Sequence, residues 1–376
     1  MPTAASKKRR KKSPPLAAQS NKAQRKPAKA LAANPFVALL ATVKPDVDAR
    51  LAGFLDSKID EVKRQAPQVS EVLHELVQLC RRGGKRTRPA LVVTGLLAAA
   101  ETNDWEAALD AGVALELLHA YFLIHDDWMD RDELRRGAPT VHTTLSQHFR
   151  STHLGAAAAI LAGDYAAGLA TEALCRVDAP PAVLSQLMLC FAQMQQAAVL
   201  GQELDVLATA GSIETTYQLK TSSYSVRGPL LMGAYLAGAS DELCGALERV
   251  ALPTGVAFQL RVDLLIVFGD SQTTGKSVGS DIQEGKRTLL SELALKRLSK
   301  VQRKQFLAVY GNPKASAKQI AQATSLLDQC GARALTEQRI DRLLAQALRA
   351  IDSSPFRRRG KELLRGAVNA LVRREH

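Results

Sequence analysis

An all-α fold is what the 376-residue sequence predicts, on three observations. Proline is absent from 90–138, 140–179, 182–228 and 254–312, which leaves room for long helices. Apolar residues recur at spacings of three and four, as in Leu73, Leu76, Val77 and Cys80 or Leu187, Phe191 and Met194, while strand-like alternation is scarce. Hydrophobic residues make up 46% and aromatic residues only 5%, so the core is aliphatic and suits packed helices. Breaks fall at Arg82-Gly83-Gly84, Arg136-Gly137-Ala138-Pro139, Ala179-Pro180-Pro181, Gly269-Asp270 and Gly311-Asn312-Pro313. The expected arrangement is one antiparallel helical bundle over 36–376, whose interior can host a site built from facing helices.

In chain order, residues 1–35 come first and carry ten Lys or Arg and no acid. Rich in Lys, Ala, Pro and Ser, this stretch lacks the apolar content to fold alone and reads as a disordered basic tail. It has no apolar core of a secretory signal. Its KKRRKK run suits anionic lipid, nucleic acid or an import receptor, and equally a solubilising extension with no specific partner. The net charge of +13 is therefore misleading, since the remainder holds 40 basic and 37 acidic residues. The body has no electrostatic support for nucleic-acid binding. Five cysteines without CxxC spacing indicate neither a disulfide framework nor a zinc site, and fit a reducing, cytoplasmic setting. No unbroken run approaches the roughly 18 apolar residues of a spanning helix, so no transmembrane segment is expected and the tail offers at most peripheral contact.

Next come Gly83-Gly84-Lys85-Arg86-Thr87-Arg88-Pro89, flexible backbone with three cations beside a helix start expected at Pro89. Such a set can clamp a diphosphate, although a basic surface turn is also common. The stretch Ala111 to Ile124 is apolar almost all round apart from Glu116 and His119, and it leads into Asp126-Asp127-Trp128-Met129-Asp130. A helix with that pattern is buried, and buried carboxylates need a positive partner. Asp126 and Asp130 are an i, i+4 pair on one face, with Asp127 about 100° round, within reach of an outer coordination shell. Oxygen ligands without His or Cys favour Mg²⁺, completed by substrate phosphates. Alone, the pentad also reads as an acidic helix end paired with Arg131, Arg135 and Arg136. Further on, Lys220-Thr221 lies in an otherwise apolar or small stretch, and Gly275 to Lys286 is a Gly-rich loop with spaced lysines, each also readable as solvated charge.

In this order GGKRTRP, HDDWMD with RRGAPTVH, GQELD at Gly201 to Asp205, Lys220-Thr221, FQLRVDLLIVFGD and GKSVGSDIQEGK resemble the trans-isoprenyl diphosphate synthases, or polyprenyl synthetase family. The similarity runs from about 48 to 300 and more weakly to the end. It implies an isoprenoid-synthase-type helical bundle around a deep central cavity, commonly a homodimer. It also implies a Mg²⁺-dependent prenyltransferase of isoprenoid biosynthesis, joining isopentenyl diphosphate to an allylic diphosphate. By motif position, Asp126, Asp127 and Asp130 are the first metal motif, catalytic together with Lys220 and Lys276. Lys85, Arg88, His119 and Arg136 would hold isopentenyl diphosphate. Arg135, Lys220, Thr221, Gln259, Lys276 and Lys286 would hold the allylic diphosphate. Tyr121 and Phe122 lie about one turn, roughly 5.4–7.5 Å, from Asp126. That is comparable with one isoprene unit and implies a cavity floor giving a C15, then C20, product. Read without the resemblance, His119 is a polar residue in a core helix and the two rings are core packing.

One motif departs from the family pattern. Where a second aspartate-rich motif is expected, Val262 and Ile266 occupy the places of its first and third carboxylates, and Asp263 lies about 100° off that stripe. Losing one preorganised charge-stabilising group costs on the order of 10²–10³ in rate. Three activities stay open from sequence: a short-chain synthase of reduced activity, a catalytically silent diphosphate-binding partner subunit, and a terpene cyclase. Intact GGKRTRP with His119 speaks against the last.

Overall fold

Asn34 begins the first helix, its side chain accepting from the backbone N–H of Phe36 at 2.9 Å and Val37 at 3.4 Å, with Pro35 in the first turn. Helix α1 (Pro35–Gln65) then buries Phe36, Leu39, Val43, Val47, Leu51 and Leu55, one stripe at spacings of three and four. This computed structural model describes residues 34–207, 211–269 and 279–373. The basic tail up to Ala33 and the first part of the Gly-rich loop, Lys276 included, lie outside the described residues, while the rest of that loop, from Gly279, forms a short helix at Ser280–Glu284 instead.

The chain continues through α2 (Ser70–Arg81), α3 (Thr87–Ala99) and α4 (Glu106–Met129), the last buried along most of its length. A two-residue hairpin, β1 (Leu134–Arg135) with β2 (Ala138–Pro139), turns the chain back through Arg136-Gly137. Helices α5 (Val141–Phe149), α6 (Thr152–Cys175), α7 (Pro181–Val206) and α8 (Ile213–Tyr217) follow. Gln218–Arg227 is π-helical and leads into α9 (Gly228–Leu236). Helix α10 (Asp241–Phe268) runs through Pro253, and α11 (Ser280–Glu284), α12 (Leu289–Arg297), α13 (Lys300–Leu307), α14 (Ala317–Gln329), α15 (Ala332–Asp352) and α16 (Arg358–Val372) complete the bundle.

Helix α4 packs on α6 and α3, α3 on α9, and α10 on α15 and the π-helical segment, which also touches α7. The faces of α4, α7, α10 and the π-helical segment thus converge on one interior space. The structure is all-α, as the proline spacing and helical periodicity predict. Two details differ. Helix α3 begins at Thr87, two residues before the expected Pro89, because Arg86 takes a left-handed conformation that ends the preceding turn. The expected absence of membrane-length helices also needs correction: α4, α6, α7 and α10 are each long and apolar enough, by length and composition, to cross a bilayer. Isolated charges break the unbroken runs without lowering the average much. In α4 and α10 the apolar windows are 67% and 61% buried within the bundle, against 39% and 28% in α6 and α7.

Candidate active site

Arg86 shapes the first half of the site. Its buried guanidinium binds Asp48 of α1 at 2.6 Å, Glu116 of α4 at 2.6 Å and the Cys80 carbonyl at 3.0 Å. These bonds hold a non-glycine residue at φ 51°, a conformation costing on the order of 1–3 kcal/mol. Around that anchor Lys85, Arg88, His119 and Arg136 line one end of the cavity. Arg136 donates to the Gly83 carbonyl, and Arg88 donates to Ser225 at 2.8 Å while its guanidinium lies 4.6 Å from the Tyr224 ring centre. The buried Nε of Arg88 and Nδ1 of His119 have no hydrogen-bond partner among the described residues. Buried polar atoms are seldom left so, and two at one cationic end suit a bound anion. Burial, then the fields of Arg88, Arg136 and Arg135, hold the His119 pKa well below its ordinary value, so its ring is neutral at neutral pH.

The second half joins α4 to the π-helical segment and α11. Lys220 Nζ lies 2.6 Å from Asp205 and 3.2 Å from Asp126, and Lys286 pairs with Asp130 and, at 3.2 Å, with Glu284. Burial works against the charge on Lys220, yet Asp126 and Asp205 outweigh it and its pKa is raised. Two glycines permit this approach: a Cβ on Gly201 would lie 2.2 Å from the Lys220 amide nitrogen, and one on Gly255 would meet Ser222 Oγ at 2.2 Å. Asp127 behaves differently from its neighbours. It is buried against Arg135, whose Nε donates to it at 2.6 Å, and burial pushes its carboxyl up to about 6 despite that pairing. Arg135 is bound to Asp127 and yet lines the cavity.

The cavity has a volume of about 2200 Å³, well above the ~300–1,000 Å³ of common small-molecule pockets. Tyr121 and Phe122 line it with ring centres 4.9 Å apart, and Tyr224 meets Phe122 edge-on at 4.7 Å. Across from α4, Val262 and Ile266 face the cavity, while buried Asp263 binds Gln259 at 2.8 Å and the Tyr217 hydroxyl. Thr221 donates to the other end of the Gln259 amide at 2.7 Å. Among the described residues, no group of three or more His, Cys, Asp or Glu is placed to hold a metal ion. Asp126 and Asp130 offer the open, carboxylate-only set that suits Mg²⁺ when phosphate oxygens complete its shell.

The sequence counts Arg86 among three cations able to clamp a diphosphate, whereas its guanidinium is held inside the protein by Asp48, Glu116 and the Cys80 carbonyl; to Asp205, Tyr217 and Tyr224 the sequence assigns no role. Asp205 and Arg86 lie inside quoted motifs, and Tyr224 follows Lys220 by four residues, the spacing of one helix face. Tyr217 carries no such signal, since its partner Asp263 is 46 residues away.

The polyprenyl synthetase family model matches residues 68–327. The chain belongs to the polyprenyl synthetase family. As a member it is 33% identical over 291 residues to the geranylgeranyl diphosphate synthase of Methanosarcina mazei, covering 73% of this chain and 85% of that one. It is 34% identical over 274 residues to the farnesyl diphosphate synthase of Escherichia coli, covering 69% and 85%. The family fold is equally plain in the crystal structure of geranylgeranyl pyrophosphate synthase from Corynebacterium glutamicum complexed with isoprenyl diphosphate and magnesium. That structure matches with a TM-score of 0.85 at 34% identity over 89% of this chain and 99% of that one. Membership of this polyprenyl synthetase family makes the chain a homologue of short-chain trans-prenyl diphosphate synthases.

Proposed function

We propose that this protein is a cytoplasmic, homodimeric prenyltransferase that condenses isopentenyl diphosphate with an allylic diphosphate, in a Mg²⁺-dependent reaction giving a C15 or C20 trans-prenyl diphosphate. The observation that carries the reading is the pair of polar clusters on one cavity: Lys85, Arg88, His119 and Arg136 in one, and in the other Asp126 with Lys220 and Lys286, the last paired with Asp130 behind it. Two diphosphates need two such places.

In this reading Arg88 Nε and neutral His119 Nδ1 take diphosphate oxygens of isopentenyl diphosphate, filling their missing hydrogen bonds. Asp126 and Asp130 would hold Mg²⁺, and Lys220 and Lys286, now paired with them, would bind the allylic diphosphate. Mg²⁺, when bound, supplies neutralisation of the charge that builds on the leaving diphosphate. Cations that line the cavity, Arg135 and Lys220 among them, add to that neutralisation. The allylic cation is then attacked by the double bond of isopentenyl diphosphate, and the released diphosphate takes the proton. Arg135, Thr221 and Gln259 complete the allylic end, Asp127 orients Arg135, and Lys276 belongs to the same set. Tyr121, Phe122 and Tyr224 stop growth of the chain.

The test is incubation with Mg²⁺, labelled isopentenyl diphosphate and dimethylallyl, geranyl or farnesyl diphosphate in turn, followed by chain-length analysis. A linear C15 or C20 diphosphate is expected, and products of C30 or longer would refute the floor. The apolar pair Val262 and Ile266 favours one second reading, a diphosphate-binding partner subunit without turnover. No elongation from any primer, with diphosphates still raising the melting temperature, would establish it instead.

A further inference from the structure

On the α10 wall, two of the three positions of the motif are aliphatic and only Asp263 keeps its carboxylate. We infer that Asp263 is a positioning residue that fixes the Gln259 amide, and through it the Thr221 hydroxyl on the cavity wall, and is not a metal ligand; this rests on the synthase reading above.

The hydrogen-bond directions leave little freedom. Asp263 is 3% exposed and both of its oxygens are used inside the protein: one accepts from Gln259 Nε2 at 2.8 Å, the other from the Tyr217 hydroxyl. Tyr217 in turn accepts from the Leu289 backbone N–H at 3.3 Å, so its single proton goes to Asp263. Both Asp263 oxygens accept, which turns the NH₂ end of Gln259 toward α10 and its carbonyl toward Thr221. Thr221 Oγ1 then donates its one proton to Gln259 at 2.7 Å and presents oxygen lone pairs to its surroundings. The chain Leu289, Tyr217, Asp263, Gln259, Thr221 thus ties the start of α12 to α8, α10 and the residue next to Lys220. Tyr217, Asp263, Gln259 and Thr221 all line the cavity. A carboxylate held by two protein donors is poorly placed to give both oxygens to an ion. Val262 and Ile266 share one stripe on the cavity wall, and the carboxylate stands at the position that joins the network.

Asn at 263 keeps the half of the chain that reaches the cavity wall: its carbonyl accepts from Gln259, while its NH₂ faces the Tyr217 oxygen and the hydroxyl proton loses its acceptor. Leu fills the space and satisfies neither. We therefore expect Asp263→Asn to keep kcat within about twofold and leave the Mg²⁺ half-saturation and the KM for isopentenyl diphosphate unchanged. Asp263→Leu is expected to lower kcat about tenfold, the loss of roughly one net hydrogen bond's worth of orientation, also without moving the Mg²⁺ half-saturation. Tyr217→Phe, which keeps the carboxylate, should fall between them, and it carries the comparison with Asp263→Asn if Asp263→Leu does not fold. A large loss in Asp263→Asn together with a raised Mg²⁺ requirement would overturn the inference, as would full activity in Asp263→Leu. Titration of Mn²⁺ with inorganic diphosphate gives a readout that survives failure of the synthase reading. Equal Mn²⁺ affinity in wild type, Asp263→Asn and Asp263→Leu is expected even without turnover, and at least tenfold weakening in both variants would identify a metal ligand.

Discussion

Single residues of this site are held in states that water would not give them, and His119 shows it most directly. Buried beside Arg88, Arg136 and Arg135, its pKa lies well below 6.5, so it is neutral where an unfolded histidine begins to protonate. A depressed pKa in the folded state contributes stability that is complete above the unfolded value and is lost as pH falls from about 6.5 toward the folded value. Asp127 and Asp263 act in the opposite sense, because burial raises both carboxyls and their protonation favours the fold as pH drops. A simple pH series therefore mixes the two. Urea unfolding at pH 7.5 and 5.5 should show wild type losing more stability across that interval than His119→Gln, which has no ring to protonate. Equal losses in the two proteins would mean that the ring titrates alike in the folded and unfolded chain. The same neutrality suits catalysis, since an uncharged donor adds no repulsion to the guanidinium groups around it.

At the scale of elements, the π-helical segment from Gln218 to Arg227 is what brings Lys220 to the carboxylates, and it fits only because Gly201 of α7 and Gly255 of α10 lack side chains. A methyl group on Gly201 would stand 2.2 Å from the backbone of Lys220, where backbone rather than a flexible side-chain end must move. Gly201→Ala is expected to cost about 1–3 kcal/mol, the usual penalty of overpacking, and to reduce kcat by moving Lys220 from Asp205 and Asp126. Thermal unfolding with single-turnover rates checks both, and an unchanged melting temperature would show that α7 can retreat freely. This element also marks what the sequence leaves hidden. The long helices are legible because proline spacing and apolar periodicity are local, and so is the Asp126/Asp130 face. The π register around Lys220 depends on two glycines from distant helices, and the start of α3 at Thr87 depends on Arg86 reaching Asp48 and Glu116. The pairing of an acidic helix end with Arg135 is open in the sequence, but that Asp127 takes it while Asp126 and Asp130 meet Lys220 and Lys286 depends on the hairpin's return path and on distant segments.

For the whole molecule, the outer faces of α6 and α7 are the least settled part of an otherwise well-buried chain. Leu154, Leu161 and Tyr165 on α6, and Leu189, Leu200 and Leu207 along α7 and its cap, recur at seven and eleven residues and so form one stripe on each helix. Leu161 and Leu189 are more than 60% exposed. Monomeric soluble proteins seldom show contiguous apolar surface on this scale, and these two helices have the least buried apolar windows of the four long ones. A second copy of the chain, laying its own α6 and α7 on these stripes about a twofold axis, would cover both without leaving an open surface. The apolar stripe reaches the cavity, which Val206 and Leu207 at the α7 end line beside Asp205. Pairing would therefore also stiffen the helix that carries a partner of Lys220. Light scattering of wild type should give twice the 40.5 kDa chain mass. The double variant Leu161→Lys, Leu189→Lys should shift to the single-chain mass, with about tenfold lower kcat and a helical circular-dichroism spectrum unchanged, because two buried lysines per protomer cost more than a dimer interface supplies. A wild-type protein that runs at 40.5 kDa at micromolar concentration would refute the pairing, and would leave those stripes to a different apolar partner.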